Sequence, residues 1–318
     1  MSNTLIDVVV TSREDQGAGV AIFELSPVAR ESLPAYKAGA HIDIHVNSEL
    51  VRQYSLCTTP VKEGTYRVGI LNDPNSRGGS RQIHVDFKVG STLRISAPRN
   101  HFELTVNSER TILAGGGIGI TPLIAMAYEL QAKNKPFELH YCTRTRGAGA
   151  FAGELQSAFP GQIYFHYDDE DHSQLLNPEE ALSPCVTGTH IYVCGPTGFM
   201  DWVINSAKSL GYPSAQVHFE YFSAEVDNSG AGFEVYCAQS ELTVAVQEQQ
   251  SIVKALEGAG VKIDVSCEEG VCGTCITDVL EGEPDHRDHF LTEEEKADND
   301  QMALCCSRAK SSRLVLDL

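Results

Sequence analysis

Four cysteines constrain this chain more than any other feature. Cys267, Cys272 and Cys275 follow a C-x4-C-x2-C spacing, and the pair Cys305 and Cys306 stands at a distance. A short loop that supplies three thiolates must turn sharply around something compact. Gly270 and Gly273 lie inside it, where a missing Cβ lets the backbone approach closely and aim N–H groups at sulfur. Three ligands together with a fourth apart is the arrangement that holds a [2Fe–2S] cluster, whose potential responds to such hydrogen bonds. A structural zinc ion would draw on two separated pairs, and thiols without a ligand are the remaining alternative. Neighbours in extended chain point opposite ways, so only one of Cys305 and Cys306 reaches the cluster.

The 318 residues allow two or three domains. Against 43 Asp and Glu there are only 24 Lys and Arg, a formal charge of -19. Without a basic run, a nucleic-acid partner is not expected, while steering toward a basic protein surface is open. The first residues lack the basic start and apolar core of a signal peptide. Residues 111–128 carry no charge, but Gly115, Gly116, Gly117, Gly119 and Pro122 suit a strand, a tight turn and a helix start rather than a membrane span. A cytoplasmic protein with no membrane partner is expected. Its ten cysteines are then not a disulfide framework.

Short β-type runs fill the first hundred residues, at 4–10, 20–25, 41–46, 51–57, 65–71 and 92–96. Several alternate with period two, as Ile42, Ile44 and Val46 do against His41, Asp43 and His45. Six such strands predict a small antiparallel β-barrel. From about residue 104 the rhythm changes to strands at 111–114, 137–142, 162–167 and 190–194, separated by helical stretches at 122–133, 150–158 and 198–210. That alternation predicts an α/β domain with a parallel sheet. Thr121 reads as the N-cap of the first helix, with Pro122 at its first position. Residues 225–232 are small and polar and read as a linker. Beyond them come strands at 233–237 and 241–246, a helix near 250–258, the cysteine loop and a closing strand at 313–317.

Three further motifs carry chemistry. Gly115 to Pro122 ends a strand and opens a helix, so Gly116, Gly117, Gly119, Thr121 and Pro122 are placed to meet a pyrophosphate at the helix N-terminus. The third Rossmann glycine is replaced by Ile120, and a packing turn without ligand accounts for the same residues. Cys194, Gly195 and Pro196 end another strand of the sheet, where ligands of such sheets bind, although Cys194 also suits a core position. On a barrel strand, Arg52 and Tyr54 share a face in the run Arg52-Gln53-Tyr54-Ser55-Leu56. A guanidinium there can pair with a phosphate while the ring packs on a flat heterocycle. Gly78, Gly79 and Ser80, after Arg77, can add donors to the same phosphate or form a surface turn.

Taken together, these residues resemble the phthalate dioxygenase reductase family, which includes vanillate demethylase reductases. The resemblance spans the chain and rests on Arg52 to Ser55, Gly115 to Pro122, Cys194 to Pro196, Phe219-Glu220-Tyr221-Phe222, the cysteine loop and the tail from Cys305 to Lys310. It implies a multidomain protein: an FMN-binding barrel (1–103), an NAD-binding domain (104–224), a linker (225–232) and a plant-type ferredoxin of α+β, β-grasp fold (233–318). The order with the ferredoxin last implies FMN rather than FAD, and NADH as the electron donor. By the same resemblance Arg52 and Ser80 hold the flavin phosphate, and Tyr54, Ser55 and Phe222 lie against the isoalloxazine, with Leu56 a further cofactor-binding residue. Thr121 and Cys194 border the nicotinamide, and the Cys-x-Ser pattern at Cys305 and Ser307 makes Cys305 the fourth cluster ligand. Ser55, through a hydrogen bond to flavin N5, and Cys194 are the residues expected to serve catalysis. Arg144 departs from the pattern: it stands where a Rossmann NAD site offers an acid, and an arginine there suits NADPH. The implied function is to pass electrons from NADH through FMN and [2Fe–2S] to a terminal Rieske-type oxygenase. A self-contained reductase of a small acceptor, and a redox sensor or carrier, are the rival readings.

Overall fold

Apolar and polar residues alternate along the first part of the chain, and the pattern resolves into β1 (Ile6–Gln16), β2 (Val20–Pro27), β3 (His41–His45), β4 (Val51–Ser55), β5 (Tyr66–Leu71) and β6 (Thr92–Ile95). The computed structural model describes residues 5–318 except 30–31, 48–49, 59–63, 75, 77 and 224–225. The six strands pair antiparallel in the order β4-β3-β6-β1-β2-β5. A bridge between Leu56 and Val68 returns the end of β4 to β5 and closes the barrel. Val8, Phe23, Ile42, Ile44, Val68 and Ile95 fill it. β1 runs beyond the expected end at Val10 because a register shift between Val10 and Ser12 bends it and lets pairing continue. A short helix, α1 (Gly79–Asp86), was not expected; only Gly79, Ser80 and Ile83 are buried along it, too little apolar surface to mark a helix in sequence.

The alternating region builds β7 (Arg110–Gly116), β8 (Phe137–Thr143), β9 (Ile163–Tyr167), β10 (Thr189–Cys194) and β11 (Val217–Glu220), parallel throughout in the order β11-β10-β7-β8-β9. Helices α2 (Ile120–Ala132) and α3 (Ala152–Ala158) cover one face, where Leu113, Leu139 and Tyr192 meet Leu123, Met126 and Leu155. On the other face, α4 (Pro178–Leu182) and α5 (Thr197–Ser209) bring Leu182, Met200 and Val203 against Ile112, Ile191 and Val193. Helices on both faces explain why these strands read as continuous apolar runs. Barrel and parallel sheet form one unit, residues 1–222.

The second unit, residues 223–318, contains β12 (Phe233–Cys237), β13 (Leu242–Val246), α6 (Ile252–Gly258), β14 (Ile276–Glu281), β15 (Pro284–Asp285), α7 (Glu293–Asp298), β16 (Gln301–Ala303), β17 (Arg308–Ala309) and β18 (Arg313–Leu316). Its sheet has the order β13-β12-β18-β14-β16, with β12 and β18 parallel and α6 packed on it through Ile252, Val253 and Leu256, a β-grasp arrangement. Much of the expected linker is bound into this unit. The carbonyls of Asp227 and Ser229 accept from Arg287, and those of Gly230 and Ala231 from the buried Arg308; Glu225 lies outside the described residues. Among the described residues no helix is long and apolar enough to cross a membrane, and all ten cysteines are free thiols.

Candidate functional site

In the first unit the site begins on β4. Antiparallel pairing with β3 sets Arg52 opposite Ile44, Tyr54 opposite Ile42 and Ser55 opposite His41. The Arg52 side chain lies across the start of α1, so close that a Cβ on Gly79 would come within 2.7 Å of its Cγ. Gly78 caps this helix at φ +100 without a side-chain hydrogen bond, leaving first-turn N–H groups beside a guanidinium, a setting suited to phosphate. Ser80 is buried in that turn and its Oγ accepts from the Asp73 N–H at 3.4 Å. Arg77 lies outside the described residues. Burial pushes the Tyr54 phenol well above its ordinary range, so the ring stays neutral.

The sheet's carboxyl end meets this strand through Glu220. Ser55 Oγ donates to Glu220 Oε2 at 3.4 Å, and His41 Nδ1 lies 3.7 Å from Oε1. Across the sheet Glu220 pairs with Cys194, whose thiol is pushed far up by burial and then by the Glu220 charge. The glycine turn rests on the end of β10: a Cβ on Gly119 would come within 2.4 Å of the Cys194 carbonyl, and one on Gly195 within 3.0 Å of Gly116 Cα. Pro196 closes on Gly116, and Gly117 takes φ +54. The helix start differs from expectation. α2 begins at Ile120 with Gly119 as N-cap, because a 3-10 turn over Gly117–Gly119 runs straight into it. Thr121 and Pro122 therefore sit inside the first turn, and the Thr121 hydroxyl donates back to the Ile118 carbonyl at 3.0 Å. Phe222 is partly exposed at the end of the unit, and Leu56 is fully buried.

Beyond β8, Arg144 is exposed and makes no ion pair among the described residues. Arg146 is the tied partner: it grips Glu170 through Nε and, at 2.9 Å, through Nη2, and lies 4.5 Å over the Tyr167 ring. A cavity of about 530 Å³ beside edge strand β9 is lined by Arg146, Tyr164, His166 and Gln174, among others, and by none of the expected flavin residues.

In the second unit the cysteine loop is built on left-handed backbone at Glu268, Gly270 and Gly273. Gly270 and Gly273 have no room for a side chain: a Cβ would come within 2.4 Å of Cys306 Sγ and 2.3 Å of the Phe290 ring, respectively. Glu269 N–H points at Cys267 Sγ (3.3 Å) and Thr274 N–H at Cys272 Sγ (3.5 Å). Hydrogen bonds with Cys272 and Cys305 pull the Cys267 thiol down, and one with Cys305 does the same for Cys275. Cys272 is pushed up by its hydrogen bond with Cys267 and by burial, and Cys305 by its hydrogen bonds with Cys267, Cys275 and Cys306. Cys267 thus meets Cys272 and Cys305, and Cys305 meets Cys275, a linked set of four soft sulfur donors that fits a [2Fe–2S] cluster. Cys305 meets Cys267 and Cys275, whereas Cys306, within reach of Cys305, packs its sulfur under Gly270.

A family described as a 2Fe-2S iron-sulfur cluster binding domain matches residues 235–310. The vanillate O-demethylase oxidoreductase of Pseudomonas sp. (strain HR199 / DSM 7063) is 44% identical over 317 residues, covering 99% of this chain and 100% of the relative. A carnitine monooxygenase reductase subunit of Acinetobacter baumannii is 36% identical over 314 residues, 99% of this chain and 98% of its own. The solved structure of phthalate dioxygenase reductase, described as a modular structure for electron transfer from pyridine nucleotides to [2Fe-2S], superposes with a TM-score of 0.76 at 34% identity, over 99% of this chain and 98% of that one. The chain belongs to the phthalate dioxygenase reductase family.

Within that family frame, two groups stand out that the sequence motifs left without a role. Glu220 lay inside the Phe219-Glu220-Tyr221-Phe222 motif, yet only the folded sheet brings it to Ser55, 165 positions away. The second is the wall behind the reductase's cluster loop. Buried Asp288 accepts from the N–H groups of Phe290 (3.1 Å) and Leu291 (2.7 Å), and His289 N–H donates to the Gly270 carbonyl at 2.9 Å. The one signal for it was Gly273, a glycine whose missing side chain leaves space for an aromatic ring.

Proposed function

We propose that this chain is the reductase component of a two-component Rieske-type oxygenase, taking electrons from NADH and delivering them singly. The observation that carries the reading is the presence in one chain of a four-sulfur cradle and of a Ser55–Glu220–Cys194 contact involving the strand whose Arg52 lies across the start of α1. Arg52, Gly78, Gly79 and Ser80 would hold the FMN phosphate, and Tyr54, Ser55, Leu56 and Phe222 the ring. Gly116, Gly117, Gly119, Thr121, Pro122, Gly195 and Pro196 would receive the dinucleotide, with Cys194 at the nicotinamide. Cys267, Cys272, Cys275 and Cys305 would ligate the cluster. Bound FMN supplies the conversion of a two-electron hydride into single electrons, which the cluster accepts one at a time. The protein's own work is to orient the partners and exclude water; no strong acid or base is required. The Ser55 hydroxyl, buried and next to Glu220, would lie at N5 of the bound flavin, and the Cys194 thiol stays protonated and uncharged. Domains at 1–103, 104–224 and 233–318 follow from the same reading, and a cytoplasmic location suits ten free thiols.

The test is composition and turnover of the purified holoprotein. Acid release should give FMN, the dithionite-reduced protein a rhombic EPR signal, and NADH oxidation should drive substrate turnover only with the oxygenase added. Turnover of a small acceptor without any second protein would favour a self-contained reductase, and failure to oxidise NADH a sensor. NADH should exceed NADPH in kcat/KM, with Arg144→Ala leaving NADH use nearly intact. A strong NADPH preference lost in that variant would reassign the coenzyme.

A further inference from the structure

Barrel and parallel sheet meet at a partly buried polar knot. Arg67 on β5 has a side chain only 12% exposed, and its guanidinium forks onto Glu154 of α3, Nη1 to Oε2 at 2.7 Å and Nη2 to Oε1 at 2.9 Å. The remaining donor, Nε, reaches the carbonyl of Cys57 at 2.9 Å, two residues beyond Ser55. Glu154 is held in turn by the Tyr128 hydroxyl at 2.9 Å. Tyr128 lies two turns along α2, the helix whose first turn carries Thr121. The guanidinium also lies 5.2 Å from the centre of the Phe151 ring. That ring presses on Gly69, where a Cβ would come within 2.9 Å of Phe151 and 3.1 Å of Thr121 Cγ2. Phe151 itself is buried at φ +63 and its N–H is fixed by Gln16 Oε1 at 2.7 Å.

These contacts form one continuous path: Ser55 to Cys57 along the chain, Cys57 to Arg67, Arg67 to Glu154, Glu154 to Tyr128, and Tyr128 along α2 to Thr121. Such a pair is poor value as a stabiliser, since desolvating both charges offsets most of their attraction. Its planar two-bond geometry fixes direction and separation instead. We propose that Arg67 and Glu154 are positioning residues that set the gap between the flavin-facing strand end at Ser55 and the nicotinamide-facing turn at Thr121. The proposal rests on the reading of those two residues given above.

The test uses the full-length, flavin-loaded protein with Arg67→Lys, Glu154→Gln, the double variant, and Tyr128→Phe as a mild change that keeps the ion pair. Hydrogen–deuterium exchange is followed in residues 54–57 and 118–122, alongside FMN dissociation and the rapid reduction of flavin by NADH. A misplacement near 1 Å costs about 100-fold, so a partial loosening should slow reduction by about tenfold while NADH and FMN affinities change less than about threefold. Exchange should rise in both segments, and the double variant should be no worse than the worse single one, as for residues acting as one unit. If the ion-pair variants do not fold, Tyr128→Phe decides by its exchange in the two segments. Unchanged exchange in both segments, or an additive double variant, overturns the proposal. Ser55→Ala and Thr121→Val separate the failures. Ordinary behaviour of both overturns the site reading and the proposal with it, whereas slowed reduction in Ser55→Ala beside ordinary exchange in Arg67→Lys overturns the proposal alone.

Discussion

Ser55 is the residue on which the proposed flavin site turns. Its hydroxyl donates to Glu220 Oε2, a contact that holds the side chain in one rotamer. Replacing it with alanine removes one hydrogen bond worth about 1 kcal/mol. Flavin reduction by NADH, followed by stopped flow, should therefore slow by about five- to tenfold, with FMN retained. An unchanged rate would show that the hydroxyl serves packing only. Cys194 follows a different logic: a fully buried thiol facing a carboxylate has no thiolate to offer at neutral pH.

At the scale of elements, the cluster loop depends on what stands behind it. Gly273 is left-handed at φ +71 and has the Phe290 ring where its Cβ would be. Gly273→Ala should lose the visible absorption and EPR signal of the cluster while the flavin spectrum persists. Adding Phe290→Leu should recover only part, since the backbone strain remains. This loop was legible in sequence because Cys267, Cys272 and Cys275 lie close together in the chain, and the barrel and parallel sheet because periods of two and runs of buried residues survive in it. α1, α7 and β14 were not: α7 buries no residue and β14 only Val279, so neither carries an apolar stripe. The helix start at Ile120 escaped notice because threonine before proline imitates a cap. The Ser55–Glu220 contact was illegible for another reason. It depends on the register of strands in two different sheets, which no local pattern encodes.

For the whole molecule, two stacked histidine pairs on the parallel sheet give the first unit a pH dependence. His166 and His218 are both lowered from 6.5 to about 4, chiefly by burial and then by their neighbours His140 and His190. Between pH 6.5 and about 4 the unfolded chain binds protons that the folded one refuses, so stability falls as pH drops through that window and levels off below it. Calorimetry of the holoprotein should show a lower Tm for this unit at pH 5 than at pH 7, with a shallower fall in His166→Gln/His218→Gln. Parallel curves would remove the histidines from the account. Charge is also uneven: residues 233–318 hold 18 Asp and Glu against 7 Lys and Arg, a net of -11. If this unit docks the oxygenase by charge, the transfer rate should fall with salt as the screening length shrinks below about 10 Å. A flat response would leave the acids a role in solubility alone.

The thiol arrangement in the cysteine loop also bears on biosynthesis. Cys267 meets both Cys272 and Cys305 across the loop, and thiols held that close are the ones an oxidant can join as a disulfide. Iron delivery therefore competes with oxygen for the same sulfurs. Protein made under iron starvation in air should resist loading by iron and sulfide until a thiol reductant has acted first, so the order of reagents in reconstitution, rather than their amounts, will govern the yield of active reductase.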